Sequence, residues 1–282
     1  MISDFYTVLG NDARQTYLAS YLRTAGYSIY DHTNLHTTLK TDTSNTQSYQ
    51  NALTCSAVIF CPIPFIRLPA EDLTCLQKCL HKGQTIVSGA IPDSFSKWCR
   101  TRQIMVLDVM ENSQWVQWNS LLTAEGLLGT IIQNTPFSLT TARILLLGYG
   151  NCGKAIGTLL SALSSDIYIY DCSADAQETA KAAHLHTLTA QALSEHPQQW
   201  NLVINTVPTT ILETSLLTQF SQDCIFFDIA SAPGGFNPSV MKNLQLTLFQ
   251  CPGIPGKSAP KTAGYQLAQL VFHHFNKKGD LL

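Results

Sequence analysis

Apolar residues come in short runs along this chain, and most runs precede a stretch whose apolar positions recur every three or four residues. The first cycle is "FYTVLG", then "NDARQTYLASYLRTAG", then "YSIYD"; the pattern returns at 143–171 as "RILLLG", "YGNCGKAIGTLLSALSS" and "DIYIYD". Each cycle predicts a buried strand ending in glycine, an amphipathic helix and a second strand. Further strands are expected at "SAVIFCP" and "GQTIVSG" in the first half, and at "NLVINTVP", "CIFFDIAS" and "LQLTLFQ" in the second. A strand–helix–strand unit met twice predicts an α/β chain of two domains with parallel sheets. The division expected is 1–135 and 136–282, the first domain flavodoxin-like or Rossmann-like and the second a Rossmann dinucleotide-binding domain. Right-handed crossovers then gather the loops after the strands along one edge of each sheet, where open α/β sheets bind ligands.

Between the halves, "NSLLTAEGLLGTIIQNTPFSL" carries a stripe at Ala124, Leu127, Leu128, Ile131 and Ile132 and is closed by Pro136. This predicts a helix crossing from one domain to the other. Pro260 suits a first helical turn, and Leu267, Leu270, Val271 and Phe275 follow at helical spacing, so a last helix from 261 to about 276 is expected to cross back. Two domains joined by two such helices predict a cleft that opens and closes. The segment ahead of the last helix, "GIPGKSAPKTAG", reads as a loop handing over to it.

Composition narrows the partners. Charged residues make up 13% of the 282, about half the usual share of ~25%, and the net charge is −2. Neither nucleic acid nor an anionic membrane surface has anything to attract it, whereas a weakly charged surface suits a protein covered by another subunit or another copy of itself. The start shows no basic segment of a signal peptide and no apolar run reaches the ~20 residues of a membrane span. Nine scattered cysteines without framework spacing point to a reduced, cytoplasmic setting. Cys75 and Cys79 with His81 suggest half a zinc site, but buried thiols explain them better. No metal is expected.

Gly148, Gly150 and Gly153 form G-x-G-x-x-G between a predicted strand and a predicted helix, and Asp171 ends the next strand. In that setting the first glycine serves the tight turn, the second the approach of a pyrophosphate, and the third the packing of helix on strand. Tyr149, Asn151, Cys152 and Lys154 complete the expected binding turn. An acid at 171 faces ribose hydroxyls well and a 2′-phosphate badly, and no cation follows before Lys181. NAD is therefore expected, with NADP as the alternative. Strand ends elsewhere on the same edge add Thr206, Val207, Pro208, Ala230 and Pro252 as cofactor neighbours.

Three cations stand in predicted first turns: Arg14, Lys154 and Lys261. Each is mildly unfavourable against the helix dipole, yet free N–H groups plus a cation make an anion site. Lys154 is equally explained as a solvated side chain, and Asp12 can neutralise Arg14 as a capping partner. No Asp or Glu occurs from Ile229 to Gly279, where Lys257 and Lys261 lie. A small anionic substrate is expected in addition to the pyrophosphate. Glu125, read as near the start of the crossing helix, either favours the dipole there or faces the cleft.

The motifs "GNDARQ", "NSLLTAEG", "LGYGNCGK", "INTVP", "FDIASAPGG" and "PGIPGKSAPKTAG" resemble, in order and spacing, the dipicolinate synthase A-subunit family over nearly the whole chain. The resemblance implies an enzyme of the mother-cell cytoplasm in a sporulating bacterium. Working with a flavoprotein-like B-subunit of dipicolinate synthase, it would oxidise a dihydrodipicolinate-type precursor to dipicolinic acid with a nicotinamide cofactor. The ring dicarboxylate so implied is expected at Arg14 and Lys261, the cations read above, with Lys257 in reserve and Glu125 as a further catalytic candidate. Asp228 reads as a loop-holding residue. The chain departs from the family pattern at Leu122, where a proline is usual, at Ala232, where an arginine is usual, and at Asp171, where the pattern looks NADP-directed. The other readings are a two-domain dehydrogenase of another small carboxylate and a catalytically idle nucleotide-binding protein that serves a partner.

Overall fold

A computed structural model describes residues 5–10, 12–33, 43–164 and 166–278. Contacts divide the chain into two compact units, residues 1–118 with 259–282, and residues 119–258. The expected boundary at 135/136 differs for a physical reason at both ends. Ala124, Leu127 and Ile131 bury themselves among the strands that follow them, and Leu267, Ala268, Leu270 and Val271 bury themselves among those of the first unit.

The first unit runs β1 (Phe5–Leu9), α1 (Ala13–Thr24), β2 (Ser28–His32), α2 (Thr43–Cys55), β3 (Val58–Phe60), α3 (Ala70–Cys79), β4 (Thr85–Ser88), α4 (Asp93–Thr101) and β5 (Met105–Asp108). Its strands are all parallel in the order β2-β1-β3-β4-β5. That is the flavodoxin-like order, which reverses direction between β1 and β3. The central β3 and β4 are buried on both faces, as strands covered by helices on each side must be. β5 was not expected. Its run "MVLD" is half-exposed at the sheet edge and carries a weak apolar signal.

α5 (Ser113–Asn134) follows, with Trp115 in the first unit's core and Ala124, Leu127 and Ile131 in the second's. Ile132, expected in the buried stripe, is 59% exposed. The second unit then runs β6 (Ile144–Leu147), α6 (Asn151–Ser161), β7 (Ile167–Tyr170), α7 (Ala174–Ala182), β8 (His186–Thr187), α8 (Ala190–Glu195), β9 (Leu202–Asn205), α9 (Thr214–Leu217), β10 (Ile225–Asp228), α10 (Pro238–Asn243), β11 (Thr247–Gln250) and α11 (Ile254–Ser258). Its sheet, in the order β11-β10-β9-β6-β7-β8, is likewise parallel and is the doubly wound Rossmann order with its reversal between β6 and β9. The α/β class, the two parallel sheets and every strand expected from an apolar run are present. Two-residue β8 was too short to read.

The last helix, α12 (Pro260–Lys278), belongs to the first unit and lies along α1. Gly264 abuts the backbone of Arg14 and Leu18, while further along Gln269 Nε2 donates to Tyr21 Oη at 2.9 Å and Phe272 stacks on Tyr27 at 5.4 Å. Contacts that advance along both helices in the same direction make them parallel, with their N-terminal ends side by side. A side chain at 264 would strike α1's backbone, so glycine sets the closeness of the pair. The segment 253–264, expected as a loop, is mostly helical: α11 occupies 254–258 and α12 starts at Pro260. Among the described residues no helix is long and apolar enough to cross a membrane.

Candidate functional site

In the second unit the strand-end edge is shaped by its glycines. Gly148 follows β6 at φ +89°, a left-handed conformation, and a Cβ there would strike Thr206 Oγ1 and Val207 Cγ2. Gly153, in the first turn of α6, lies against the carbonyl of Gly148, so a side chain would collide with backbone. Gly150 is the opposite case, since nothing lies within 4 Å of the position its Cβ would occupy. It also serves as the N-cap of α6, with no side chain capping the helix. The first N–H groups of a helix have no partner within it. This turn therefore presents donors, a dipole's positive end and open space together, the arrangement that receives a pyrophosphate. The residues fit a dinucleotide on geometry alone.

The neighbours divide into those that face this edge and those that support it. Asp171 follows β7 directly; its Oδ2 accepts from Tyr149 N at 2.7 Å and its Oδ1 from Ser173 N at 2.8 Å. The acid is half-buried and braces the glycine turn while retaining unused lone pairs. Tyr149 packs its ring into the core and gives its N–H to Asp171, so it supports the turn from within. Asn151 and Lys154 are exposed. Cys152 is half-buried with Sγ 3.7 Å from Ser120 Oγ, and burial pushes its thiol pKa up against that hydrogen bond. Thr206 Oγ1 donates to Leu147 O at 3.0 Å, which closes the strand end, and Pro208 and Pro252 are exposed.

Beneath these loops lies a buried polar pair whose joint role the sequence reading missed. Asn205 and Asp228 end the adjacent parallel strands β9 and β10 at the same register, and Asn205 Nδ2 donates to Asp228 Oδ1 at 2.8 Å. Asp228 also accepts from Ala230 N (3.1 Å), Gly235 N (2.8 Å) and Phe236 N (3.3 Å). Asn205 closes its own turn by donating to Val207 O and accepting from Val207 N. The expectation that Asp228 holds the loop above it agrees with these bonds. The available signal was two polar residues ending the apolar runs "LVIN" and "IFFD", followed by "PGG". Gly234 adopts φ +85° against Asp228 Oδ2, and a Cβ at Gly235 would strike Asn205 Nδ2.

Glu125 and Lys257 differ from expectation. Glu125 lies in mid-α5, whose first residue is Ser113, so the helix dipole, which acts within the first turn, gives it nothing. Its side chain is exposed, and the neighbouring Gly126 is where α11 packs on α5, against Ile254 and Ser258. Lys257, expected in a loop, stands in the last turn of α11, a favourable end for a cation, and is exposed. "TAEG" and "GIPGKS" thus meet in space.

In the first unit the corresponding edge is occupied by the chain itself. Asp12 caps α1, accepting from Arg14 N at 2.9 Å through Oδ1 and pairing with Arg14 Nη2 at 3.0 Å through Oδ2. Arg14 is only 2% exposed, and Nη2 also donates to Ile63 O at 3.4 Å, beyond β3. With its amide turned to satisfy both groups, Gln15 donates to Asp12 Oδ1 at 2.6 Å. Arg14 is therefore not the free cation expected; it is a buried tie between the loops after β1 and β3, at the point where strand order reverses. Lys261 does stand in the first turn of α12, exposed, on a helix preceded by Ala259, which has no side-chain oxygen to cap with. The half zinc site dissolves. His81 bonds the carbonyls of Lys82 and Thr54 through its two ring nitrogens, and no group of metal-ligating side chains occurs among the described residues.

Comparison with known proteins follows the same division. Residues 6–110 match the family described as the N-terminal domain of the dipicolinate synthase A-subunit. The dipicolinate synthase A-subunit of Bacillus subtilis (strain 168) is 28% identical over 174 residues, a stretch spanning 59% of this chain and only 56% of that relative. The crystal structure of the dipicolinate synthase A chain from Bacillus subtilis superposes with a TM-score of 0.77 at 21% identity, covering 98% of this chain and 97% of that one. A transhydrogenase from Sinorhizobium meliloti shares the fold at a TM-score of 0.67 and 11% identity, covering 98% of this chain and 94% of that one. At these identities the likeness to solved structures shows the shared fold. The resemblance read from the motifs is borne out as a similarity: residues 6–110 match the N-terminal domain of that family, and the chain is similar in sequence and in fold to dipicolinate synthase A-subunits.

Proposed function

We propose that this chain is the dinucleotide-binding component of a dipicolinate synthase, oxidising a dihydrodipicolinate-type ring to dipicolinic acid with NAD. The observation that carries the reading is the uncapped α6 start beside the open Gly150, braced by Asp171, in a chain whose N-terminal half matches that family. A bound nicotinamide would supply the hydride acceptor for the ring, and the second hydrogen would leave as a proton to Glu125 as the ring becomes aromatic. The protein's share is orientation and exclusion of water. Gly148, Gly150 and Gly153 with the first N–H groups of α6 hold the pyrophosphate, Asp171 takes the ribose hydroxyls, and Thr206, Val207, Pro208, Ala230 and Pro252 border the remainder.

For the substrate carboxylates, Lys261 and the first N–H groups of α12 are the assigned pocket, with Lys257 as a second cation. Arg14 acts through Asp12, fixing the neighbouring helix start. Glu125 is the assigned proton acceptor, an exposed carboxylate on a stretch of α5 fixed by α11. The relatives' designation as A-subunits supports a second component, and the flavoprotein-like B-subunit is the proposed partner in a sporulating cell's cytoplasm.

The test is incubation of the purified chain with NAD or NADP and enzymatically generated dihydrodipicolinate, with and without the B-subunit, following reduced cofactor and product absorbance. Turnover with NAD is expected. Turnover only on other small acids favours a different two-domain dehydrogenase, and cofactor binding without turnover favours an idle partner protein. Lys261→Ala is expected to lower kcat/KM about tenfold or more, the loss of one charge-assisted contact, with unchanged NAD affinity. Unchanged turnover removes Lys261 from the site.

A further inference from the structure

A dinucleotide on this sheet crosses the edge where strand order reverses, between β6 and β9. Its adenosine half lies on the side of β7 and Asp171, so its nicotinamide half lies over the ends of β9 and β10. The two loops there, 206–208 and 229–236, share one foundation. Asn205 is fully buried and Asp228 3% exposed, and between them they bond Val207, Ala230, Gly235 and Phe236 by backbone. Two further bonds extend the sheet past its strands at the same level, Ile229 N to Asn205 O at 3.0 Å and Cys251 N to Asp228 O at 2.8 Å. One residue thereby gathers the ends of three strands. Gly234 and Gly235 press directly on the pair, so the loop cannot take its shape with side chains at those positions.

We infer that the Asn205–Asp228 pair is a positioning unit for the nicotinamide half of the cofactor, setting the two loops through their backbone without touching the cofactor. This rests on the dinucleotide reading and goes beyond it by separating the two halves of the ligand. The adenosine and pyrophosphate contacts come from the glycine turn and Asp171, which Asp228 does not bond. Weakening the pair should cost affinity only for a ligand that carries the nicotinamide ring.

The experiment compares NAD with ADP-ribose, which lacks that ring, by calorimetric titration of the full chain. Asp228→Asn puts an amide N–H₂ where an acceptor met N–H donors. NAD affinity is expected to fall about tenfold, the scale of one or two lost hydrogen bonds, with ADP-ribose affinity held within about twofold. The exchanged pair Asn205→Asp with Asp228→Asn restores a carboxylate–amide contact and should recover part of the NAD affinity, which a general loss of stability would not. If Asp228→Asn does not fold, Gly234→Ala, which disturbs the same loop from outside, carries the comparison. Equal loss for both ligands, or no loss for either in a folded variant, overturns the inference. If the unaltered chain binds neither ligand, the dinucleotide reading fails and takes this inference with it; if it binds both equally, only the inference fails.

Discussion

The two sheets offer the same location, the helix start after the first strand at the reversal of strand order, and treat it in opposite ways. In the second unit Gly150 caps α6 with no side chain, and the space beyond it is open. In the first unit Asp12 caps α1 with its own carboxylate, Arg14 is buried beneath it, and a Cβ at Gly10 would lie about 3 Å from the Gln15 side chain. An anion belongs at both places by the same physics. One unit leaves the place open, and the other fills it with a carboxylate from its own chain. The cation proposed for an anionic substrate in the first unit is accordingly the exposed Lys261 in the first turn of the neighbouring parallel helix, α12, which Ala259 precedes with no capping side chain.

The largest separation between the units is expected in alkali. Burial pushes the Cys61 thiol up, drives Cys99 to about 11 against the pull of Arg102, and drives Cys224 to about 12. These thiols stay neutral in the fold while their unfolded counterparts ionise near 9. Folded values lie above unfolded ones, so their contribution is fully present below pH 9 and is lost as pH rises toward the folded values. Each loses about 1.4 kcal/mol per pH unit in that window. With Cys75, also driven to about 11, the first unit holds three of the four thiols with the largest shifts, so it is expected to fail first. Trp98, Trp115 and Trp118 report on it and Trp200 on the second, so urea melts of Trp200→Phe and its complement between pH 8 and 11 separate them. Coincident loss in both would remove this asymmetry.

Next in size is Asp12→Ala. It removes a helix cap and leaves Arg14 buried without its ion pair. With Asp12's side chain 21% exposed, the cost expected is about 2–3 kcal/mol, below the range for a fully buried pair. Urea unfolding measures it, and a change under about 0.5 kcal/mol, the usual range of surface substitutions, would mean that the first unit's site is not internally satisfied.

How much of this was legible follows from where each signal resides. Strands buried on both faces announce themselves as apolar runs, so β1, β3, β4, β6, β9 and β10 were readable; of the half-exposed edge strands β2 and β11 kept enough apolar residues to be read, whereas β5, with the weak run "MVLD", and two-residue β8 did not. The glycine fingerprint was readable because its spacing lies in one short stretch, although only Gly148, at φ +89°, and Gly153, against the Gly148 carbonyl, answer a backbone demand, while Gly150 leaves space open. Arg14's pairing was only half readable: Asp12 is two residues away, but Ile63 reaches it from across the fold. Glu125 was misplaced on its helix because "NSLLTAEG" begins nothing; α5 starts earlier, at a polar stretch whose helical periodicity is weak. The Asn205–Asp228 pair joins residues 23 apart and exists only once two strands lie side by side.

Gly150→Ala sharpens the comparison from the other side. Its Cβ meets nothing within 4 Å and its φ of −72° suits any residue, so stability should hold within about 0.5 kcal/mol. NAD affinity should nevertheless fall about tenfold, because the methyl enters the space assigned to the pyrophosphate. Retained affinity would place the ligand elsewhere.

The smallest effect expected is the most specific. Asp171→Asn keeps an acceptor for Tyr149 N or Ser173 N and removes the negative charge that a 2′-phosphate would face. A half-buried carboxylate near a phosphate repels it by roughly 1–2 kcal/mol after screening, so the ratio of NADP to NAD dissociation constants should shrink about tenfold. NAD should weaken as well, because the amide N–H₂ then faces one of the two N–H donors, so the ratio of the two constants is the reading. Asp171→Ala, which leaves Tyr149 N without its partner, should weaken both cofactors, and the contrast between the two variants separates charge from bracing. Equal affinity of the unaltered chain for NAD and NADP would show that the acid works solely as a brace, making the second unit's turn as internally supported as the first unit's.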